Sequence, residues 1–107
     1  MKAILHDEAD GEFQSALETY QTESQELAVR FYREVLTTLT RIESHPKAWP
    51  RLRGAVRKCL VTGFPYKLLY TIEPDRIFVV AVMHAKRWPG YWTSCFDFLH
   101  RLRGTHP

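Results

Sequence analysis

Seven consecutive apolar residues, Ile77 to Met83, constrain the fold more than any other part of this chain. The run is far shorter than the ~20 residues that cross a bilayer, and its β-branched composition is typical of a strand. A strand without polar alternation is buried on both faces of its sheet. We therefore expect residues 77–83 to form a central strand that other parts of the chain cover.

Two amphipathic segments earlier in the chain predict helices that can cover one face of that sheet. The first begins after Asp7, a predicted N-cap, and carries apolar residues at helical spacing: Phe13, Ala16, Leu17 and Tyr20. The second has a wider apolar stripe: Ala28, Phe31, Val35, Leu39 and Ile42, flanked by Leu27, Tyr32 and Leu36. The pattern resets at residues 23–25, and Pro46 ends the second helix. The two segments therefore predict an antiparallel helical hairpin.

Further strands are predicted on both sides of this hairpin. Residues 2–6 form a short apolar run and residues 56–61 are predicted as a strand. Residues 66–72 are rich in aromatic and β-branched side chains and predict the next strand. The Pro- and Arg-rich residues 46–54 read as a loop. The predicted order is β-α-α-β-β-β, an α+β fold with the N-terminal helical hairpin on one face of a small, mostly antiparallel sheet.

Length and composition limit the classes of protein that this chain can be. Its 107 residues, 45% of them hydrophobic, suit a single domain spanning 1–107. The N-terminus turns acidic at once, which is unlike a secretory signal, so we expect a cytoplasmic protein with no membrane partner. Its two cysteines and scattered histidines lack metal-ligand spacing, and no glycine-rich phosphate loop is present. We expect neither a metal nor a cofactor.

The charge is divided unevenly along the chain. Residues 1–40 contain three basic and eight acidic side chains, a net charge of −5, whereas residues 41–107 contain twelve basic and four acidic ones, a net charge of +8. Such asymmetry predicts that the second half presents a cationic surface to an anionic partner.

The cations cluster on the predicted strands and directly after them. The candidate binding residues are Arg57, Lys58, Lys67, His84, Lys86, Arg87, Trp88, Tyr91 and Trp92. Neighbouring strands lie ~5 Å apart, so we expect the strand-borne cations to gather on one face. Such a set could cleave RNA, since lysine and arginine can serve as base, acid and phosphate stabiliser and tyrosine can stack on a base. It could equally bind an acidic peptide, and the residue types alone do not separate these two functions. Some of these residues can have structural roles instead. His84 ends a predicted buried strand, where a histidine commonly forms hydrogen bonds within the fold, and the aromatic residues Trp88, Tyr91 and Trp92 can cover the open end of the core.

Several of these segments resemble one family. The matching residues are the hairpin end at 42–46, Trp49-Pro50, the strand from Val56 to Leu60, the motif Phe64-Pro65-Tyr66 and the ending H-x-x-R-x-P-G-Y-W at 84–92. Over residues 2–95 the chain resembles the RelE/ParE superfamily of toxins from bacterial type II toxin–antitoxin pairs. The resemblance implies the same βααβββ arrangement.

The superfamily has two branches with different activities. RelE-like members are ribosome-dependent messenger-RNA endonucleases that use lysines, arginines and a tyrosine without a metal. Lys58, Lys67, Arg87 and Tyr91 match that pattern, and these are the catalytic residues that the RelE-like branch would imply. One position departs from it, because Leu60 stands where the relatives have a second lysine on the strand. A lysine pair is what would lower a lysine pKa for general-base chemistry.

ParE-like members act instead on DNA gyrase, and the H-x-x-R-x-P-G-Y-W ending is closer to that branch. Our first hypothesis is a ParE-like toxin of a plasmid-stabilisation module that binds gyrase and is not an enzyme. The alternatives are a RelE-like endoribonuclease and a degenerate member that only binds antitoxin. The implied partner is an antitoxin encoded by a neighbouring gene, which would form a hetero-oligomer with the toxin. We expect an amphipathic antitoxin helix to lie beside the hairpin and acidic antitoxin residues to neutralise the cations.

Overall fold

The computed structural model describes residues 1–85 of the 107. Within that range the elements, in chain order, are β1 (Ala3–Leu5), α1 (Asp7–Glu23), α2 (Gln25–Ser44), β2 (Arg51–Arg53), β3 (Val56–Leu60), β4 (Tyr66–Ile72) and β5 (Ile77–His84). None of the helices in this part of the chain combines the length and apolarity needed to cross a membrane. The predicted α+β fold is confirmed, with the helical hairpin inserted after the first strand.

The strands form one mixed sheet in the order β1-β5-β4-β3-β2. The pairs from β2 to β5 are antiparallel, whereas β1 runs parallel to β5 with Ala3 opposite Ile77. The long β5 therefore lies inside the sheet over its first half, as its apolar sequence predicts. One element was missed: β2 lies in residues 46–54, which we predicted as a loop. The arginines on both sides of Leu52 give this segment a polar composition, and strand composition therefore does not predict it.

Single residues define the ends of the two helices. The prediction of Asp7 as the N-cap of α1 is wrong by one position: His6 is the cap, and its Nδ1 accepts a hydrogen bond from the Glu8 N–H at 3.1 Å. Asp7 instead stands in the first turn, where a carboxylate favours the helix dipole. Ser24 joins the helices, since its extended backbone ends α1 and its hydroxyl accepts the Leu27 N–H at 3.0 Å.

The main core lies between the helical hairpin and the sheet, and we call it the hairpin-side core. Its buried members are Ala9, Phe13, Ala16, Phe31, Val35, Ile42, Cys59, Val61, Leu68, Tyr70, Ile77, Val79 and Val82. Phe31 is central, with ring centroids of Tyr20 at 5.0 Å, Phe64 at 5.1 Å and Tyr66 at 5.2 Å. The buried apolar stripe of α2 is narrower than the sequence predicts, because the side chains of Tyr32 and Leu36 are 46% and 43% exposed.

A second buried cluster covers the other side of the sheet, the opposite face. Its members are Val56, Leu69, Phe78, Val80, Ala81 and Met83, with Leu52 packed against them. The pairing of β4 with β5 shifts between Leu69 and Tyr70. This irregularity is a β-bulge: Val80 has no register partner in β4. Val80 and Ala81, although adjacent in sequence, therefore both lie on the opposite face. The strand β5 is consequently buried on both faces.

Two helix carboxylates bind the backbone of the sheet. The Glu12 Oε1 atom of α1 accepts the Val82 N–H at 2.9 Å, and the Glu43 Oε2 atom of α2 accepts the Ala3 N–H at 2.7 Å. Among residues 1–85, no strand pairs with β5 beyond Val79 on the side that β1 occupies. Glu12 therefore satisfies a backbone donor at the point where the sheet narrows.

Candidate functional site

The predicted strand-borne cations divide between the two faces of the sheet. Lys58 and Lys67 lie on the opposite face: Lys58 is the register partner of Leu69, and Lys67 is the partner of Leu60. Lys58 and Leu60 are two residues apart on β3 and share a face, so Leu60 adjoins Lys58 along the strand and Lys67 across the strand pair. Leu60 is 62% exposed, the largest value among the exposed large hydrophobic residues in residues 1–85. Together Lys58, Leu60 and Lys67 form what we call the lysine–leucine surface.

Arg57 lies on the hairpin side, so the expectation that the strand cations share one face is wrong for it. Its register partner is Tyr70, a member of the hairpin-side core. The Arg57 Nη1 atom donates to the Trp49 carbonyl at 2.7 Å and to the Lys47 carbonyl at 3.4 Å. Because side chains alternate between faces along a strand, adjacent Arg57 and Lys58 cannot serve one surface. Arg57 instead holds the segment before β2 against the sheet.

His84 also faces the hairpin side, at the end of β5. Its ring lies edge-on to the Tyr66 ring, with centroids 5.0 Å apart. His84 and Tyr66 help to line a groove of about 550 Å³ between α1 and the end of β5, whose other lining residues are Glu8, Gly11, Glu12, Ser15, Ala16, Thr19 and Val82. The groove is beside the helical hairpin, where we expected an antitoxin helix, and it is separate from the lysine–leucine surface.

The remaining predicted site residues lie outside the described part of the chain: Lys86, Arg87, Trp88, Tyr91 and Trp92. The expectation that they act with the strand cations stays a prediction. Within residues 1–85, no three His, Cys, Asp or Glu side chains are close enough together to hold a metal ion.

Two titratable groups of the hairpin-side core, the Cys59 thiol and the Tyr70 phenol, are held in their neutral forms. Burial raises the pKa of the Cys59 thiol to about 11, although nearby Arg41 acts to lower it. Burial likewise raises the pKa of the Tyr70 phenol to about 12 against the opposing effect of Arg57. The Tyr70 hydroxyl donates to the Pro46 carbonyl at 2.6 Å. Neither group is a nucleophile at neutral pH, and both serve the packing of the sheet.

Sequence reasoning missed two parts of the site. Leu60 entered only as a departure from a lysine pattern, whereas the structure shows it as an exposed apolar centre between two cations. Lys47 and Arg51 were assigned to a loop, yet they line a groove of about 330 Å³ with Arg57. The alternation of arginine with leucine in Arg51-Leu52-Arg53 is the signal that could have revealed the strand.

Comparison with known proteins identifies the family over most of the chain. The family profile described as "ParE toxin of type II toxin-antitoxin system, parDE" matches residues 3–89. A solved structure titled "Chromosomal ParDE TA system from P. aeruginosa" superposes with a TM-score of 0.71, covering 80% of this chain and 97% of that one at 11% identity. At that identity the likeness shows a shared fold. No curated protein sequence matches the chain.

Proposed function

Since this chain belongs to the family of ParE toxins of type II toxin–antitoxin systems, we propose that it inhibits DNA gyrase by binding to it and that a cognate antitoxin neutralises it. The ending H-x-x-R-x-P-G-Y-W, which begins at His84, and the family match over residues 3–89 support the ParE-like branch of the superfamily.

The lysine–leucine surface carries this proposal. An endonuclease of the RelE-like kind places a second lysine at the position of Leu60, where it would lower the pKa of its neighbour. Here that position carries an exposed isobutyl group opposite Lys67. An exposed apolar side chain between two cations suits binding to a protein that has acidic residues around an apolar pocket. It contributes nothing to proton transfer.

Inhibition of purified gyrase tests the proposed target. We expect the protein to stop ATP-dependent supercoiling of relaxed plasmid and to leave translated messages intact after induction in cells. Leu60→Asp should weaken the inhibition at least tenfold, because a carboxylate replaces the apolar contact and faces an acidic partner. Exposed Leu36→Asp on α2 is the matched control and should inhibit like the parent.

The opposite result would support the RelE-like alternative. Prompt cleavage of translated messages that Lys58→Ala, Lys67→Ala and Arg87→Ala each abolish, with supercoiling unaffected, would refute inhibition of gyrase. A chain that affects neither supercoiling nor messages, yet binds antitoxin, would be the degenerate member.

For the antitoxin, we propose two contacts on this chain. A helix of the antitoxin lies in the groove between α1 and the end of β5, and a further antitoxin segment along the sheet brings acidic residues to the lysine–leucine surface. Arg57 takes no direct part in this contact, because it lies on the hairpin side of the sheet, away from the lysine–leucine surface. The contact neutralises cations that the target would otherwise meet.

Charge reversal tests this neutralisation. The variant Lys58→Glu/Lys67→Glu should bind the antitoxin from the neighbouring gene at least tenfold more weakly in calorimetric titration. Lys2→Glu/Arg33→Glu makes the same change in net charge at exposed positions elsewhere and should bind like the parent. Equal affinity for both variants and the parent would contradict the neutralisation model.

A further inference from the structure

The β2–β3 hairpin and the segment before it form a cationic groove that the proposed function does not use. Its volume is about 330 Å³, and its lining residues are Lys47, Arg51, Gly54, Ala55, Arg57 and Ile72. The described lining contains three cations and no carboxylate. The adjacent carboxylate of Glu73 is 3.1 Å from Arg76, with which it forms an ion pair. Neither Lys47 nor Arg51 forms an ion pair within residues 1–85.

Two of these cations are forced together by the pairing of the strands. Arg51 and Arg57 are direct register partners in β2 and β3, so their side chains share a face. Like charges directly opposite each other destabilise a sheet. The bond from Arg57 to the Trp49 carbonyl at 2.7 Å fixes one member and keeps the pair in place. A bound anion would offset this repulsion, so the pairing of the two arginines is more favourable with an anion in the groove than without one.

The chemistry of the groove selects the kind of anion. No large hydrophobic residue within 45–57 is exposed, so the groove lacks the apolar anchors of a protein interface. Arginine donors match phosphate oxygens in a planar, two-point geometry, and lysine adds a point charge. The geometry points to a site for one phosphodiester group of a nucleic-acid backbone, held by Lys47, Arg51 and Arg57 without reading of base sequence. Such contacts position a nucleic acid and carry no sequence information.

Salt-dependent binding of DNA to the full 107-residue chain tests this site. The probe is a labelled duplex of random sequence, measured by fluorescence anisotropy from low to moderate salt. We expect Lys47→Gln/Arg51→Gln to weaken binding roughly tenfold at low salt. The double variant should also reduce the slope of log K against log salt by about one unit, the loss of one phosphate contact. Arg33→Gln removes an exposed cation from α2 and should leave the slope unchanged.

Three outcomes would overturn the inference. The first is an unchanged slope for the double variant, provided that its thermal unfolding matches the parent. The second is a double variant that loses affinity for polyglutamate and keeps its affinity for DNA, since the groove would then bind acidic protein. The third is calorimetric binding of inorganic phosphate that only the parent shows, with equal DNA binding by both proteins, since the groove would then hold a free anion. Retained gyrase inhibition in the double variant would separate this site from the proposed toxin surface.

Discussion

Two side chains of the sheet, Tyr70 and Arg57, hold the segment before β2 in place. Tyr70 is fully buried, and its hydroxyl donates to the Pro46 carbonyl, while Arg57 donates to the Trp49 carbonyl. They are register partners and reach the same stretch of chain. The segment that carries Lys47 is therefore ordered by groups that belong to the core.

Replacement of the Tyr70 hydroxyl should change the stability of the protein in a pH-dependent way. Tyr70→Phe loses one buried hydrogen bond, so we expect it to reduce the free energy of unfolding at pH 7 by about 1 kcal/mol. The folded pKa of about 12 lies above the ordinary value of 10, so this phenol stabilises the parent fully below pH 10 and loses that contribution as pH rises to 12. The difference between parent and variant should shrink across this range in urea titrations. A constant difference from pH 9 to 12 would show that burial does not hold the phenol neutral.

The Cys59 thiol should be inert in the folded protein. It is buried, and its pKa of about 11 leaves almost no thiolate at pH 7 to 8. In a Cys95→Ser background, we expect iodoacetamide to modify Cys59 only after denaturant unfolds the chain. Labelling of the native protein at the rate of a free thiol would contradict this burial.

At the scale of elements, carboxylates attach both helices to the sheet. Glu12 binds the Val82 N–H from α1, and Glu43 binds the Ala3 N–H from α2. Each bond joins residues that are distant in sequence. The strand N–H that donates it has no acceptor on a neighbouring strand within residues 1–85. The hairpin is thus oriented by directional bonds as well as by the packing of its apolar stripe.

Removal of the Glu12 carboxylate should loosen α1 from β5. Glu12→Ala leaves the Val82 N–H without its charged acceptor, and we expect a loss of about 1.5–3 kcal/mol in the free energy of unfolding. Glu12→Gln keeps an oxygen acceptor and should lose less. Exposed Glu18→Ala on the same helix is the control, expected within about 0.5 kcal/mol of the parent. Hydrogen exchange at Val82 reports the bond directly, and unchanged protection in Glu12→Ala would contradict its role.

At the scale of the whole molecule, one core joins every major element of residues 1–85. The hairpin-side core includes residues of both helices and of β3, β4 and β5, with Ala3 and Leu5 of β1 packed against it. Phe31 contacts aromatic rings from α1, from the turn before β4 and from β4 itself. Helices and sheet should therefore unfold together.

Truncation of Phe31 tests this cooperativity. Phe31→Ala should reduce the free energy of unfolding by about 3–5 kcal/mol, since it removes a fully buried ring from the centre of the core. The denaturation midpoints from far-ultraviolet circular dichroism and from tryptophan fluorescence should shift equally. Separate midpoints for the two signals would contradict a single cooperative transition.

Local patterns in the sequence were sufficient for most of the elements. Apolar spacing located α1, α2 and β5, Pro46 marked the end of α2, and the strand composition located β4 from Tyr66 to Ile72. These features depend on neighbouring residues, whose spacing determines which side of a helix or strand is apolar. These local patterns did not predict β2, because a three-residue segment with two arginines forms a strand only through its pairing with β3.

The sequence by itself determined the family, the layered α+β fold and the supply of cations in the second half of the chain. Only the tertiary structure decided how those cations are distributed. The register of β3 with β4 places Lys58 and Lys67 around exposed Leu60, while Arg57 turns to the other face and meets Arg51 at the cationic groove. The physical reason is that side chains alternate between the two faces of a sheet with a period of two residues. Composition gives the number of charges, whereas the pairing of strands decides which charges share a surface.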